Sequence, residues 1–342
     1  MRALRAIALV IPLVLIASSA NASYNGEINY DNPRIVPLFD QPNSETPTYS
    51  GFLYSSRIVF SAGHSNIGFD EAGNKIQLQQ FPTYVGLPNS KASSSLKRVR
   101  VIKRFVAPEM YFNNGTLRDF AIYVLESDLV DIAPAKLMTP EIEKELTDAR
   151  ASVNIHGYGE YLDSCAPNEV APCKGPLIKS MEPRQSTFQL HPYEDFQSLV
   201  GYNRPQLKDH LLMFGAGKRT ACGGDSGGSI TTTYKGELLY LSVTPNGMNG
   251  YACGRSGDFD GKGGIMYASQ IYAHLNIVKE AKDFVDQQIA AEKALAKASA
   301  DAKANAASKT LVISCKKGAT VKKVKALKPK CPKGYVKVAT KN

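Results

Sequence analysis

From about residue 35 to residue 268 the chain consists of short runs, alternating or wholly apolar, closed off by Gly, Pro, Asn or Asp. Gly51–Phe60, Lys97–Ile102, Phe120–Leu125 and Glu237–Val243 are examples. Such runs read as strands with turns between them, and their number predicts an all-β sandwich or a pair of barrels. Near Ser269 the period changes. Ile271, Leu275, Val278, Val285 and Ile289 recur at three-, four- and seven-residue steps, which predicts one apolar stripe on a helix packed against the barrel body. From Ala290 to Lys309 the residues are mostly Ala, Lys, Asp, Glu and Ser, with Leu295 the only large apolar side chain. That stretch can be helical by propensity but has little to bury, and reads as a solvated spacer. There is no internal repeat.

The first 22 residues read as an export leader: Arg2 and Arg5, an apolar core from Ala6 to Ala17, then Ala20-Asn21-Ala22 as a cleavage site. The apolar core is too short to span a bilayer and no later stretch is long enough, so no membrane anchor is expected once the leader is removed. The chain is expected outside the cytoplasm, secreted and held at a cell surface if its basic tail adheres. Disulfides persist there. The six cysteines fall into three neighbourhoods, Cys165/Cys173, Cys222/Cys253 and Cys315/Cys331, and read as three bridges. A zinc site would need a second CxxC-type half or paired histidines, which the sequence lacks.

The formal net charge of +10 is uneven: residues 311–342 hold ten lysines and no acid, so residues 1–310 sum to zero. Basicity therefore speaks for the tail alone. The tail alternates lysine with Val, Ala and Leu, and Cys315–Cys331 would close a loop in it. It suits adhesion to an anionic partner such as a cell-wall polymer through screened attraction, or a plain solubility role. Nucleic acid is not expected, because Tyr335 is the only aromatic there on which a base could stack.

The octet CGGDSGGS, residues 222–229, surrounds Ser226 with four glycines and places Asp225 against it. A serine hydroxyl needs a positioned base, itself oriented by a carboxylate, to act as a nucleophile near neutral pH. Two upstream segments supply both. His64 follows the apolar run Ile58–Phe60 in SAGHS, and Asp119 opens the apolar strand of LRDFAIYVLE, a costly place for an unsatisfied carboxylate. Taken alone, His64 reads as a capped histidine, Asp119 as a turn residue and the octet as a surface turn. The G-D-S-G-G letters also fit the nucleophile elbow of α/β-hydrolases. That fold needs its histidine after the serine, where only His274 stands, inside the striped helix.

Together GFLYSSRIVFSAGHS, DFAI and CGGDSGG resemble the histidine, aspartate and serine motifs of the chymotrypsin-fold, trypsin-like serine proteases, as a bacterial secreted member. They agree in order and in spacing, 55 residues from His64 to Asp119 and 107 from Asp119 to Ser226, within a resemblance covering about residues 35 to 289. The resemblance implies two packed six-stranded antiparallel β-barrels over residues 35–268, then the helix and spacer (269–310) and the Lys-rich tail (311–342). It implies a serine endopeptidase acting on peptide or protein substrates. His64 would be the base, Asp119 its orienting carboxylate and Ser226 the nucleophile, with the amides of Gly224 and Ser226 as the oxyanion hole. Cys222–Cys253 would border the substrate pocket. No metal or cofactor is called for.

The chain also departs from that pattern. Arg34-Ile35-Val36 resembles the family's activation cleavage site, which would make residues 23–34 a propeptide and pair a new Ile35 terminus with Asp225. But Pro37 stands where a glycine is usual, and only 16 residues separate Ile35 from Gly51. The other reading makes RIVPLF simply the first strand, with Asp225 paired internally, since an unpaired buried carboxylate is costly. Ser65 replaces a bridging cysteine and Ser229 a common proline. Thr220 matches the pocket floor with Ala221 beside it, favouring small or apolar substrate side chains. Asp258 and Asp260 are expected to border the same pocket and could charge its wall. Their D-x-D-G letters fall short of a calcium loop. His156, His191 and His210 have no partner pattern, and CAPNEVAPC reads as a bridged surface loop. The competing class is a protease-fold protein that never cleaves and acts through its basic tail.

Overall fold

A computed structural model of the chain describes residues 26–69, 75–77, 82–93, 96–111, 118–162, 177–200, 205–215, 221–245, 264–308 and 311–338. The leader lies outside the described residues. The first part of the chain gives β1 (Glu27–Ile28), β2 (Ile35–Phe39), β3 (Tyr49–Ser55), β4 (Ile58–Ser61), β5 (Ile67–Phe69), β6 (Lys75–Gln77), β7 (Tyr84–Gly86), β8 (Arg98–Val106) and β9 (Ala121–Leu125). Six of them close a barrel in the order β2-β3-β4-β9-β8-β7, and β5 and β6 form a separate hairpin. Its interior is filled by Val36, Leu38, Leu53, Val59, Val85, Val99, Val101, Tyr123 and Leu125.

Several of these strands are apolar along their whole length because they are covered on both faces. Side chains alternate between faces along a strand, so in β4 Val59 points into the barrel while Phe60 points out. Phe60 is fully buried, stacked on Tyr54 (4.7 Å between centroids) and packed against Phe120 and, 5.2 Å away, Tyr240. Phe52 meets Tyr240 at 4.4 Å. Tyr240 belongs to the next sheet. The continuous apolar runs read from the sequence are thus the signature of strands buried between two layers.

That sheet is built from β10 (Lys136–Leu137), β11 (Ser152–Gly157), β14 (Arg184–His191), β15 (Leu211–Gly215), β16 (Ser229–Tyr234), β17 (Glu237–Val243) and β18 (Ile265–Ala268). Between them lie α1 (Pro140–Asp148), a hairpin of β12 (Glu160–Leu162) and β13 (Leu177–Lys179), and α2 (Tyr193–Val200). The order is β10-β17-β16-β11-β14-β15-β18, with β1 pairing on β14 where β15 has diverged. The expectation of two six-stranded barrels is therefore met in part. The first barrel closes; the second, among the described residues, is an eight-stranded sheet without a closing pair. Its edge strands are β10 and β18, and residues 246–263, between β17 and β18 in the chain, lie outside the described residues. β10 also runs parallel to β17 rather than antiparallel.

The helix keeps most of its expected stripe. A short 3₁₀ turn, Ile271–His274, precedes α3 (Leu275–Ser308). Ile271, Val278 and Val285 are buried as expected; Leu275 departs, at 47% exposed, and Ile277 and Ala281 join the buried face. The expected spacer is the exposed continuation of α3. The chain divides into two compact units at Lys282/Asp283. In the second, β19 (Leu311–Lys317), β20 (Thr320–Ala326) and β21 (Val336–Val338) form an antiparallel sheet in the order β20-β19-β21, stapled by Cys315–Cys331. Among the described residues no helix is long and apolar enough to cross a membrane.

Because Phe60 has no room to be replaced by water or a neighbouring side chain, Phe60→Ala is expected to cost about 3–5 kcal/mol. Leu295→Ala, at a site 71% exposed, should change stability by less than about 0.5 kcal/mol. Urea unfolding followed by fluorescence and far-UV dichroism measures both. Equal small effects would show that the aromatic layer does not hold the first barrel to the second sheet.

Candidate active site

β4 and β9 pair antiparallel with Ser61 opposite Ala121, so the residues just beyond that end of the ladder, His64 and Asp119, leave it side by side. Asp119 spends both carboxylate oxygens on residue 64. Its Oδ1 accepts the His64 backbone N–H at 2.9 Å, and its Oδ2 accepts from the ring Nδ1 at 2.7 Å. A carboxylate can only accept, so Nδ1 carries the proton and Nε2 keeps a free lone pair. Asp119 is 4% exposed; the imidazole is 20% exposed, with the edge of Tyr49 against it. Burial opposes protonation of the ring, but the charge and hydrogen bond of Asp119 outweigh it and raise its pKa above the ordinary 6.5.

The serine loop arrives from the second sheet and lies where β3 outruns β4. Ser50, fully buried in β3, holds it with its N–H and its hydroxyl. Its N–H donates to the Ser226 carbonyl (3.0 Å) and its hydroxyl to the Gly224 carbonyl (2.7 Å), while that hydroxyl accepts the Tyr158 N–H (2.8 Å). The Ser50 carbonyl accepts the Ser61 hydroxyl at 3.0 Å. On the other side the Gly227 N–H donates to the Thr244 carbonyl at 2.9 Å. Gly227 has φ +83°, and a Cβ there would lie 2.1 Å from Ser61 Oγ and 2.8 Å from the Ala62 nitrogen. Only glycine lets the loop approach this closely. Ser226 is therefore fixed against the end of β4 that carries His64. Among the described residues the ring makes no hydrogen bond to the Ser226 hydroxyl; such bonds are often long before substrate binds and tighten in the Michaelis complex.

The loop's own shape comes from Asp225, which is fully buried. Its Oδ1 accepts the Gly159 N–H at 2.9 Å and its Oδ2 the Cys222 N–H at 2.8 Å. A Cβ on Gly159 would fall 2.3 Å from that carboxylate, so β11 and the residues after it leave room for it. Gly224 has φ +91°. Among the described residues the Gly224 and Ser226 amides donate to no protein acceptor.

Ile35 and Asp225 are not brought together. Ile35 pairs with Phe52 in β2–β3, its N–H reaches the Asn32 carbonyl (3.5 Å) and its carbonyl accepts the Asn89 N–H. Ala221 is buried beside Cys222. Thr220, Asp258, Asp260, Cys165, Cys173 and Cys253 lie outside the described residues, although Cys222 is disulfide-bonded. Ser65 is buried, donates to the Ala62 carbonyl (2.7 Å) and lies 3.0 Å from the Tyr123 hydroxyl, tying down the histidine turn in place of a bridge. Burial pushes that tyrosine up to about 12, so it stays a phenol. Ser229 is fully buried and accepts from the Asn32 amide at 3.2 Å. His274 stacks on Phe120 and bonds Ser269, a packing role. His156 bonds Gln185 and His191 bonds Asp195; His210 sets its edge on Tyr267.

Sequence reasoning missed Ser50 and Asn32. Each touches a residue far away in the chain, and neither has a local pattern. The one available signal for Ser50 was a buried-strand serine, in TYSGFLY, that the apolar pattern does not explain.

No curated protein matches the chain. The family model described as Trypsin matches residues 33–248, more than half of the sequence, from just before β2 to just past β17. That span takes in the histidine turn, the Asp119 strand and the serine loop, and it ends short of α3 and the lysine-rich tail. The chain belongs to the trypsin family of serine peptidases.

Proposed function

We propose that the protein is an exported endopeptidase in which Ser226 attacks the peptide carbonyl, His64 takes its proton and returns it to the leaving amine, and Asp119 holds the imidazole. The amides of Gly224 and Ser226 receive the negative charge of the tetrahedral intermediate. The observation that carries this reading is the double acceptance by Asp119, ring and backbone of one histidine. A buried carboxylate so used fixes both the tautomer and the direction of the ring. Export is supported by the leader and by disulfide-bonded Cys222, Cys315 and Cys331.

On this reading the uncut chain is the working form, and residues 26–34 are a strap rather than a propeptide. The Arg34 guanidinium donates to the carbonyls of Leu53 (3.1 Å), Tyr54 (3.1 Å) and Ala133 (2.9 Å). Its own carbonyl accepts the Leu53 N–H at 2.7 Å. A protease cutting after Arg34 would first have to pull these contacts apart. Upstream, β1 pairs with β14, and Asn32 reaches Ser229 just behind the nucleophile. Asp225 already has two amide donors, so the serine loop takes its shape without a new terminus.

A fluorophosphonate probe should label the protein, and labelling should vanish in Ser226→Ala and His64→Ala. Intact mass of the labelled species should place its first residue upstream of Ile35. No labelling of folded protein would favour a binding role alone. Labelled material that always starts at Ile35 would return Arg34–Ile35 to an activation site.

The pH dependence follows from His64. It works only as the neutral base, so kcat/KM should fall as pH drops through its raised pKa, with a midpoint above the ordinary 6.5. In Asp119→Asn the raising influences are lost and burial remains, so the midpoint should move to lower pH while kcat falls about 10⁴-fold. An acid limb unmoved by that substitution would remove Asp119 from the mechanism.

A further inference from the structure

The lysine-rich sheet has two unlike faces. Cross-strand partners share a face and neighbours along a strand do not. The register therefore groups Ile313 with Val324, and Cys315 with Lys322 and Lys337, on one face. That face is covered around its middle: Cys315 is fully buried, bonded to Cys331, and Ile313 and Val324 are half-buried, while Lys317, Lys322 and Lys337 towards one end stay exposed. The opposite face is open. Its rows are Lys325 beside Val312, then Lys323, Ser314 and Val338, then Val321, Lys316 and Val336. The four valines are 37–70% exposed and all three lysines are exposed.

On the open face Lys325 and Lys323 sit two residues apart on one strand, about 7 Å. Lys316 continues the line one row on, on the neighbouring strand. The result is a track of cations at roughly even steps with small apolar side chains between them, in a segment that has no acid. We propose that this open face binds a linear polyanion whose phosphate groups are spaced by short carbon links, such as a phosphodiester-linked polyol. Lys316, Lys323 and Lys325 contact successive phosphates, and the valines pack the links. Evenly spaced cations match a charge that repeats along a thread. Nucleic acid fits less well: Tyr335 is the one aromatic of the segment, and Lys322 Nζ lies over its ring at 5.5 Å. A lipid surface fits less well because the open face carries no leucine or aromatic anchor.

The test is binding of the full-length protein to poly(glycerol phosphate), by calorimetry across a salt series. Affinity should fall steeply with salt. Changing Lys316, Lys323 and Lys325 together to Gln should weaken binding at least tenfold and flatten the log–log salt slope by about 2. Removing the same charge from the covering loop, by Lys328, Lys330 and Lys333 to Gln, should cost far less. Unchanged amide-exchange protection across Leu311–Ala326 in both variants shows that the sheet is retained. Equal losses in the two variants would reduce the effect to net charge and overturn the assignment of a face. Tighter binding to single-stranded DNA, or to vesicles of phosphatidylglycerol and phosphatidylcholine in equal parts, would overturn the choice of partner, and no binding to the polymer would overturn both.

Discussion

The site depends on one contact between two sheets: the serine loop pressed against the end of the first barrel where Ser50 waits. Two of the three candidate catalytic residues come from the closed barrel and the third from the other sheet, so no single sheet could assemble them. What brings them to one place is a short stretch of backbone packing, Gly224 to Gly227 on Ser50, Ser61 and Ala62. Those bonds are few and mostly between buried polar groups. Such bonds are specific in direction, and leaving one unmade is expensive. The aromatic layer of Phe52, Phe60 and Tyr240 supplies the non-directional part of the same docking.

Two buried carboxylates sit within this contact and do different work. Asp119 faces a histidine, and its charge acts on the imidazole's protonation. Asp225 faces backbone amides, and its charge is spent on the turn that presents Gly224 and Ser226. Both are satisfied by hydrogen bonds in place of water, which is what makes their burial tolerable. The strap at residues 26–34 belongs to the same economy of buried polar groups, since Asn32 and Arg34 place their side chains on Ser229 and on strand carbonyls.

The tail is a different kind of object. Its sheet is too small to bury much, and the staple at Cys315 supplies what a core cannot. An antiparallel sheet can leave one face open to solvent when charged side chains break up its apolar ones. The lysines that interrupt the valines serve that purpose whether or not a partner is bound.

The strands of the first barrel, the helical C-terminal stretch and the three motif residues were legible in the sequence because each has a local signature. Apolar runs encode strands through the period of the backbone, and His64, Asp119 and Ser226 stand in short patterns that chemistry itself constrains. The place of Leu275 was not legible, since the 3₁₀ turn before it leaves it off the buried stripe that Ile271, Val278 and Val285 keep. Nor were Ser50, Asn32 and the Gly159 partner of Asp225, whose decisive contacts lie 66 to 197 positions away. A sequence can specify which side chain is needed at a position. Which distant backbone amide meets it is settled only when two sheets close on each other, because hydrogen bonds select by distance and angle and carry no local periodicity to read.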